Sequence, residues 1–314
     1  LRELSIVDAI RRSRPTEVTL RLEPSVIAVG AWHVAAGMNN RVYYHRIGTS
    51  EDSSTSTSVV HEQEYPGTVR EVHLNATYAV VMTDNKAHLH PIEPDATPGK
   101  EQRSQIFPQR EEGAFAQVSC VSLTDNFLYY GTEAGTVEVF FLNDWVILPG
   151  VELRLDNPIK AVYPNASSTL LVVIDSTNQA YLFNPLHGGG VNQSITRFES
   201  VPNNVTKVMW DVKEKNVIML YDGKCVHTYV FVASSMKGGT LLTKLGPVSV
   251  SSDGEIELNP DKVEITAGNT PVMSVGGQLT CQAAAGNLTA ITHPYFDQLQ
   301  TRKKRDEDSI DKVS

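Results

Sequence analysis

The chain has 314 residues and a formal net charge of −9, from 27 Lys and Arg against 36 Asp and Glu. Its 41% apolar and 20% charged composition is too apolar for a disordered chain, and an acidic balance without a basic domain argues against nucleic-acid backbone binding. No run approaches the ~18–20 apolar residues of a membrane-spanning helix.

The opening Leu1-Arg2-Glu3-Leu4 has no basic n-region and no apolar h-region, so the expectation is no signal peptide and a start inside a longer protein. Two strand-like runs follow, at 4–7 and 18–22. From residue 26 one unit recurs: an apolar strand, a polar gap, a second apolar strand, a turn rich in Gly, Asp and Asn, and a third strand. Its first three copies are 26–29, 33–37 and 42–47; 69–74, 78–83 and 87–92; 118–123, 127–131 and 137–142. The last three are 159–163, 170–174 and 180–183; 205–210, 217–221 and 226–232; 271–275, 278–282 and 288–292. The residues after the turns, Val42, Ala87, Val137, Ala180, Cys225 and Leu288, are spaced by 45, 50, 43, 45 and 63 residues. Four of these lie near the ~40–45-residue period of a WD-type blade. The long one is read as an insertion over 233–270, rich in Gly, Ser and Asp.

The pattern predicts an all-β, WD40-like β-propeller over 1–294. Candidate fourth strands are 58–62, 102–107, 145–154, 195–200 and 241–250. Six triplets plus the N-terminal pair predict a seven-bladed ring whose last blade is shared between the chain ends or is incomplete. Helix-period patterning is nearly absent from the body of the chain, which excludes α/β folds. The Ser/Thr-rich stretch 49–58 reads as a mobile loop. Residues 295–314, with Arg302-Lys303-Lys304-Arg305 followed by acids, read as a charged linker or the start of a helical-repeat region.

Few residues suggest chemistry. Cys120, Cys225 and Cys281 are too scattered for a disulfide framework or zinc site and read as buried thiols in a reducing compartment. The sequons at Asn75, Asn165, Asn192, Asn204 and Asn287 read as turn residues rather than glycan acceptors. His88 and His90 share one strand face, a spacing that can hold a metal, but no nearby Cys or carboxylate completes a set, and they read as surface or rim histidines. Gly188-Gly189-Gly190 lacks the strand-to-helix context of a phosphate loop. Nothing positions a Ser-His-Asp triad, and the channel-side strands read apolar and small. Trp32, Trp145 and Trp210 read as blade-to-blade packing rather than interface anchors.

The segment 26–44, with Trp32-His33-Val34-Ala35-Ala36-Gly37-Met38-Asn39-Asn40-Arg41, resembles the second β-propeller of the WD repeat-containing protein nineteen family, core subunits of intraflagellar transport complex A. The stretch 126–132 with Gly135 and Asp144-Trp145 fits in order, as do 170–175, 228–231, and 277–282 with Gly286. The resemblance implies a non-enzymatic scaffold with no catalytic, cofactor-binding or metal residues. It implies two N-terminal propellers followed by tetratricopeptide-type helical repeats. It further implies retrograde ciliary transport, ciliary import of membrane proteins through a tubby-like cargo adaptor, and cilium assembly. The partners would be other complex A subunits, at the cilium or flagellum, the ciliary base and the cytoplasm; no homo-oligomer is implied. No partner-contact residue can be placed on a numbered position. A vesicle-coat or tethering subunit, and a propeller hydrolase or metal-dependent enzyme, are the alternatives.

Overall fold

The computed structural model describes residues 2–6, 16–20, 22–47, 59–94, 103–109, 117–185, 195–198, 201–233, 240–244, 248–250, 256–258 and 262–292. The expectations for 49–58, 188–190, Asn192 and 295–314 fall outside them.

A hairpin comes first, β1 (Arg2–Ile6) with β2 (Thr16–Leu20), Arg2 lying opposite Leu20. β3 (Val26–Val29), β4 (His33–Met38), β5 (Arg41–Arg46) and β6 (Val59–Glu64) form the first four-stranded sheet. The second is β7 (Val69–Leu74), β8 (Tyr78–Thr83), β9 (Lys86–Pro91) and β10 (Gln105–Phe107). The third is β11 (Val118–Leu123), β12 (Phe127–Thr132), β13 (Thr136–Phe141) and β14 (Val146–Arg154). The fourth is β15 (Ile159–Pro164), β16 (Leu171–Asp175), β17 (Ala180–Phe183) and β18 (Ile195–Arg197). The fifth begins with β19 (Lys207–Trp210), β20 (Val217–Tyr221), β21 (Cys225–Ala233) and β22 (Thr240–Lys244). β23 (Val248–Val250) pairs only with β24 (Ile256–Leu258), and β25 (Lys262–Glu264) returns to β21. A three-stranded sheet closes the series: β26 (Asn269–Val275), β27 (Gln278–Ala283) and β28 (Leu288–Thr292). Among the described residues there is no helix. This is an all-β, WD40-like propeller of successive antiparallel sheets, none closed into a barrel, with its incomplete sheets at the two ends.

Every predicted triplet is present. The insertion read over 233–270 holds four strands. The fourth strand expected at 241–250 is divided between β22, which lies along Tyr229–Ala233, and β23. β25 takes up the rest of the same edge, opposite Cys225–His227.

The chain divides into two compact units, residues 1–164, 173–177 and 183–194, and residues 165–172, 178–182 and 195–314. In the first, strand alternation sends each sheet's two faces into different cores. Val34 and Ala36 of β4 join Val18 and Leu20 of β2, with Leu4 and Ile6 of β1 packed alongside. Ala35 joins Val42, Tyr44, Val69, Val72, Ala79 and Val81. The next core runs from Val80 and Leu89 to Val121, Leu128 and Phe140. In the second unit, Met219, Val226, Leu279 and Cys281 form the centre of the core.

One position recurs at the end of the first strand: Gly30, Asn75, Thr124, Asn165 and Asp211. Each donates its backbone N–H to the carbonyl of His33, Tyr78, Phe127, Leu170 or Val217 respectively. The side chains then finish the turn. Asn75 Oδ1 accepts from Thr77 and Tyr78 N–H, Asn165 Oδ1 from Thr169 and Leu170 N–H, and Asp211 Oδ1 from Lys213 and Glu214 N–H. Asn75 and Asn165 are buried, so these two sequons are turn residues. Asn204 and Asn287 are exposed.

Candidate functional site

β9 presents His88 and His90 from one face, and the expected surface or rim position is corrected: His88 is buried and His90 half-buried. The sequence places Tyr44 on β5 and Tyr65 just after β6, on the neighbouring sheet, and their rings surround the imidazoles. Tyr65 lies 5.5 Å from His88 and 5.8 Å from His90, ring centre to ring centre, while His61 stacks on Tyr44 at 5.9 Å. His90 Nδ1 lies 2.8 Å from the Pro91 carbonyl oxygen and donates to it, which leaves Nε2 as an acceptor. Tyr65 O–H donates to that Nε2 at 2.5 Å, and Tyr44 O–H donates to Tyr65 Oη at 2.9 Å. His88 Nε2 is 2.9 Å from Thr83 Oγ1. Burial lowers the His90 pKa to about 4, so the ring is neutral near pH 7. The imidazole nitrogens in these bonds are taken up by protein partners. Among the described residues no group of three or more His, Cys, Asp and Glu side chains is placed to hold a metal ion.

Other buried polar groups hold sheets together. Asp211 accepts from Ser274 O–H at 2.6 Å and from Gly276 and Gly277 N–H, both at 3.0 Å, joining β19 to the turn after β26. Burial works to raise its pKa, but hydrogen bonds from Gly277, Ser274, Glu214 and Gly276 prevail and hold it below the usual carboxylate value. At the edge of the first two sheets, Glu93 accepts from Arg46 and lies 2.6 Å from His33 Nε2. Arg46 and then His33 keep its carboxyl below the usual range. The three cysteines are buried free thiols, and burial pushes Cys120 up to about 12, which removes it as a nucleophile near neutral pH.

The first strands β3, β7, β11 and β15 lie side by side. Their reading as apolar and small is corrected, because Arg70, Glu71 and Lys160 are exposed on them and His73 stands 3.4 Å from Glu71. A register shift between Val69 and Glu71 turns both Arg70 and Glu71 outward while Val69 and Val72 stay buried.

The three tryptophans divide. Trp145 packs between Tyr78 and Phe140, at 5.5 and 5.3 Å, as expected. Trp210 is half-buried at the end of β19. Trp32 is 56% exposed, which corrects its reading as blade packing. Ile27 and Val29 of β3 are 46% and 53% exposed, and they share one face of the first sheet. Large exposed apolar groups mark interaction surfaces. Sequence reasoning missed Ile27 and Val29; the signal was present in the two N-terminal strands that lacked a triplet.

The WDR19 second beta-propeller family model matches residues 1–294. WD repeat-containing protein 19 of Homo sapiens is 26% identical over 306 residues, covering 96% of this chain and 21% of that protein. WD repeat-containing protein dyf-2 of Caenorhabditis elegans is 20% identical over 263 residues, 77% of this chain and 18% of that one. The chain thus spans about one fifth of the length of the curated relatives it matches. Among solved structures, Kluyveromyces marxianus Hsv2 aligns with a TM-score of 0.60 at 12% identity, over 90% of this chain and 84% of that one. The β-propeller domain of Myceliophthora thermophila Cps50 (Swd1) aligns with a TM-score of 0.57 at 11% identity, over 92% of this chain and 91% of that one. At such identities the two structures share the fold alone. The match across nearly the whole repeat region settles the lineage: the chain belongs to the WDR19 second β-propeller family.

Proposed function

We propose that this chain is a non-enzymatic scaffold propeller of intraflagellar transport complex A. In this reading it supports retrograde ciliary transport, ciliary import of membrane proteins and cilium assembly through protein–protein contacts. The observation that carries the proposal is the family match over residues 1–294. The buried His, Asp and Cys groups described above serve packing and turns. Its partners are the other complex A subunits and, directly or indirectly, a tubby-like cargo adaptor. It works at the ciliary base, in the cilium and in the cytoplasm, and residues 295–314 lead toward helical repeats.

The test is affinity capture of the full-length protein from ciliated cells, with the bound proteins identified by mass spectrometry. Recovery of complex A subunits supports the proposal. Recovery of vesicle-coat subunits without them replaces it with the coat reading.

A further inference from the structure

In the first unit, each first strand turns one apolar face toward the sheet before it. On β7 that face is Val69 and Val72, packed with Val26 and Ala28 of β3; on β11 it is Val118 and Val121, packed with Val80 and Met82 of β8. All four of these β7 and β11 residues are buried. β3 is the exception. Ile27 pairs with Ala36 and Val29 with Val34, so all four share one face. The β1–β2 hairpin buries Ala36 and Val34 completely yet leaves Ile27 and Val29 about half exposed.

Connectivity explains the gap. β6 passes to β7 through residues 65–68, and β14 to β15 through 155–158. β2 passes to β3 through 21–25 and packs Val18 and Leu20 on β4, as Phe107 of the fourth strand β10 packs on Tyr130 of the next sheet's second strand, so β2 holds a fourth-strand position and β1 a third. Among the described residues the sheet before β3 therefore lacks its first and second strands, and β1 pairs only with β2. Among the described residues, what is missing is an extended pair whose alternate apolar side chains cover Ile27 and Val29 and whose backbone joins the open edge of β1.

We propose that the face formed by Ile27 and Val29, with the open edge of β1, is the seat of two strands supplied by the polypeptide that joins the first propeller to this one. The family is defined as a second propeller, and about four fifths of the length of its relatives lies outside this span. Second and third strands are joined by short turns in each complete sheet, such as residues 39–40 and 84–85. Two strands and their turns need about 15–20 residues directly ahead of β1. The connecting segment is then a folded part of this propeller and fixes the two propellers to each other. The proposal rests on family membership and not on the ciliary role.

The test uses the full-length protein carrying either Val29→Cys or, as reference, Ile106→Cys. Ile106 is 48% exposed on β10, close to the 53% of Val29, so an open seat gives equal thiol-labelling rates. A filled seat slows labelling at position 29 by at least about tenfold. A short photo-crosslinker on that cysteine then identifies the occupant by peptide mapping, and crosslinks within about 20 residues ahead of β1 are expected. Equal labelling rates overturn the proposal. So do crosslinks to β26–β28, as a blade shared between the chain ends would give, to residues beyond 292 or to a separate polypeptide. Amide exchange of β1 in the unsubstituted protein provides a check without a cysteine: slow exchange along both edges is expected, and fast exchange along one edge counts against the seat being filled.

Discussion

Tyr65 links two sheets through one proton, and the direction of that bond makes stability depend on pH. His90 Nδ1–H is engaged with the Pro91 carbonyl, so Nε2 can only accept from Tyr65, and a proton on Nε2 would set donor against donor. Burial lowers the folded-state pKa to about 4 from an ordinary 6.5. The unfolded chain therefore binds the proton first as pH falls. Stability contributed by His90 is complete well above pH 6.5, declines through the window down to about 4 and amounts to about 3 kcal/mol. Urea unfolding across this window should show that decline, and His90→Gln should lessen it, leaving the part due to His88, which burial also holds below its ordinary value. Asp211 and Glu93, both held low, add their losses below the ordinary carboxylate range, which keeps the histidine step distinct. Tyr65→Phe removes the nearer hydroxyl at Nε2, leaving Tyr44 O–H at 3.4 Å, and should cost about 1 kcal/mol at pH 7 in the same measurement.

At the scale of the strand and turn, Gly135 ends the β12–β13 turn with φ of +82°, and a Cβ there would stand 2.3 Å from the Leu155 carbonyl oxygen and 2.8 Å from that of Asn157. Both obstacles are backbone and cannot swing aside. Gly135→Ala should cost about 2–4 kcal/mol, whereas Gly223→Ala, with φ of +96° and open space around it, should cost about 1 kcal/mol. Paired chemical denaturation curves separate the steric part from the conformational one. Turns of this kind were legible in the sequence, as were the strands they join, because period-two apolar runs and Gly, Asp and Asn clusters are local signals. The register shifts were not. At Val69/Glu71, Val118/Cys120 and Pro271/Met273 an extra residue breaks the alternation, so strict parity misassigns which side chains face out. The His88–His90 environment was half legible: the pair was visible on β9, but Tyr44 and Tyr65 come from another sheet, and only folding brings them near. Trp32 was misread because an apolar neighbourhood in sequence resembles burial even where the side chain stands exposed.

For the whole molecule, each sheet is held by its neighbours, as in other repeat folds, so damage should stay local. Asp211→Asn removes one of two carboxylate oxygens that receive Ser274, Gly276 and Gly277. Hydrogen exchange should accelerate in β19, β26 and β27 and stay unchanged in β7–β9; uniform acceleration would mean that the molecule opens as one cooperative body. The fifth sheet adds a different kind of locality. Lys244, the last residue of β22, lies opposite Tyr229, and Lys262, the first of β25, lies opposite His227. The chain thus leaves the sheet and re-enters it at points separated along β21 by Thr228 alone, with the β23–β24 hairpin between them. Such a doorway lets genes lengthen or shorten the protein there without altering the repeat on either side. It is also where a fluorescent reporter or affinity tag can be threaded, between residues 250 and 256, held by two anchors one residue apart.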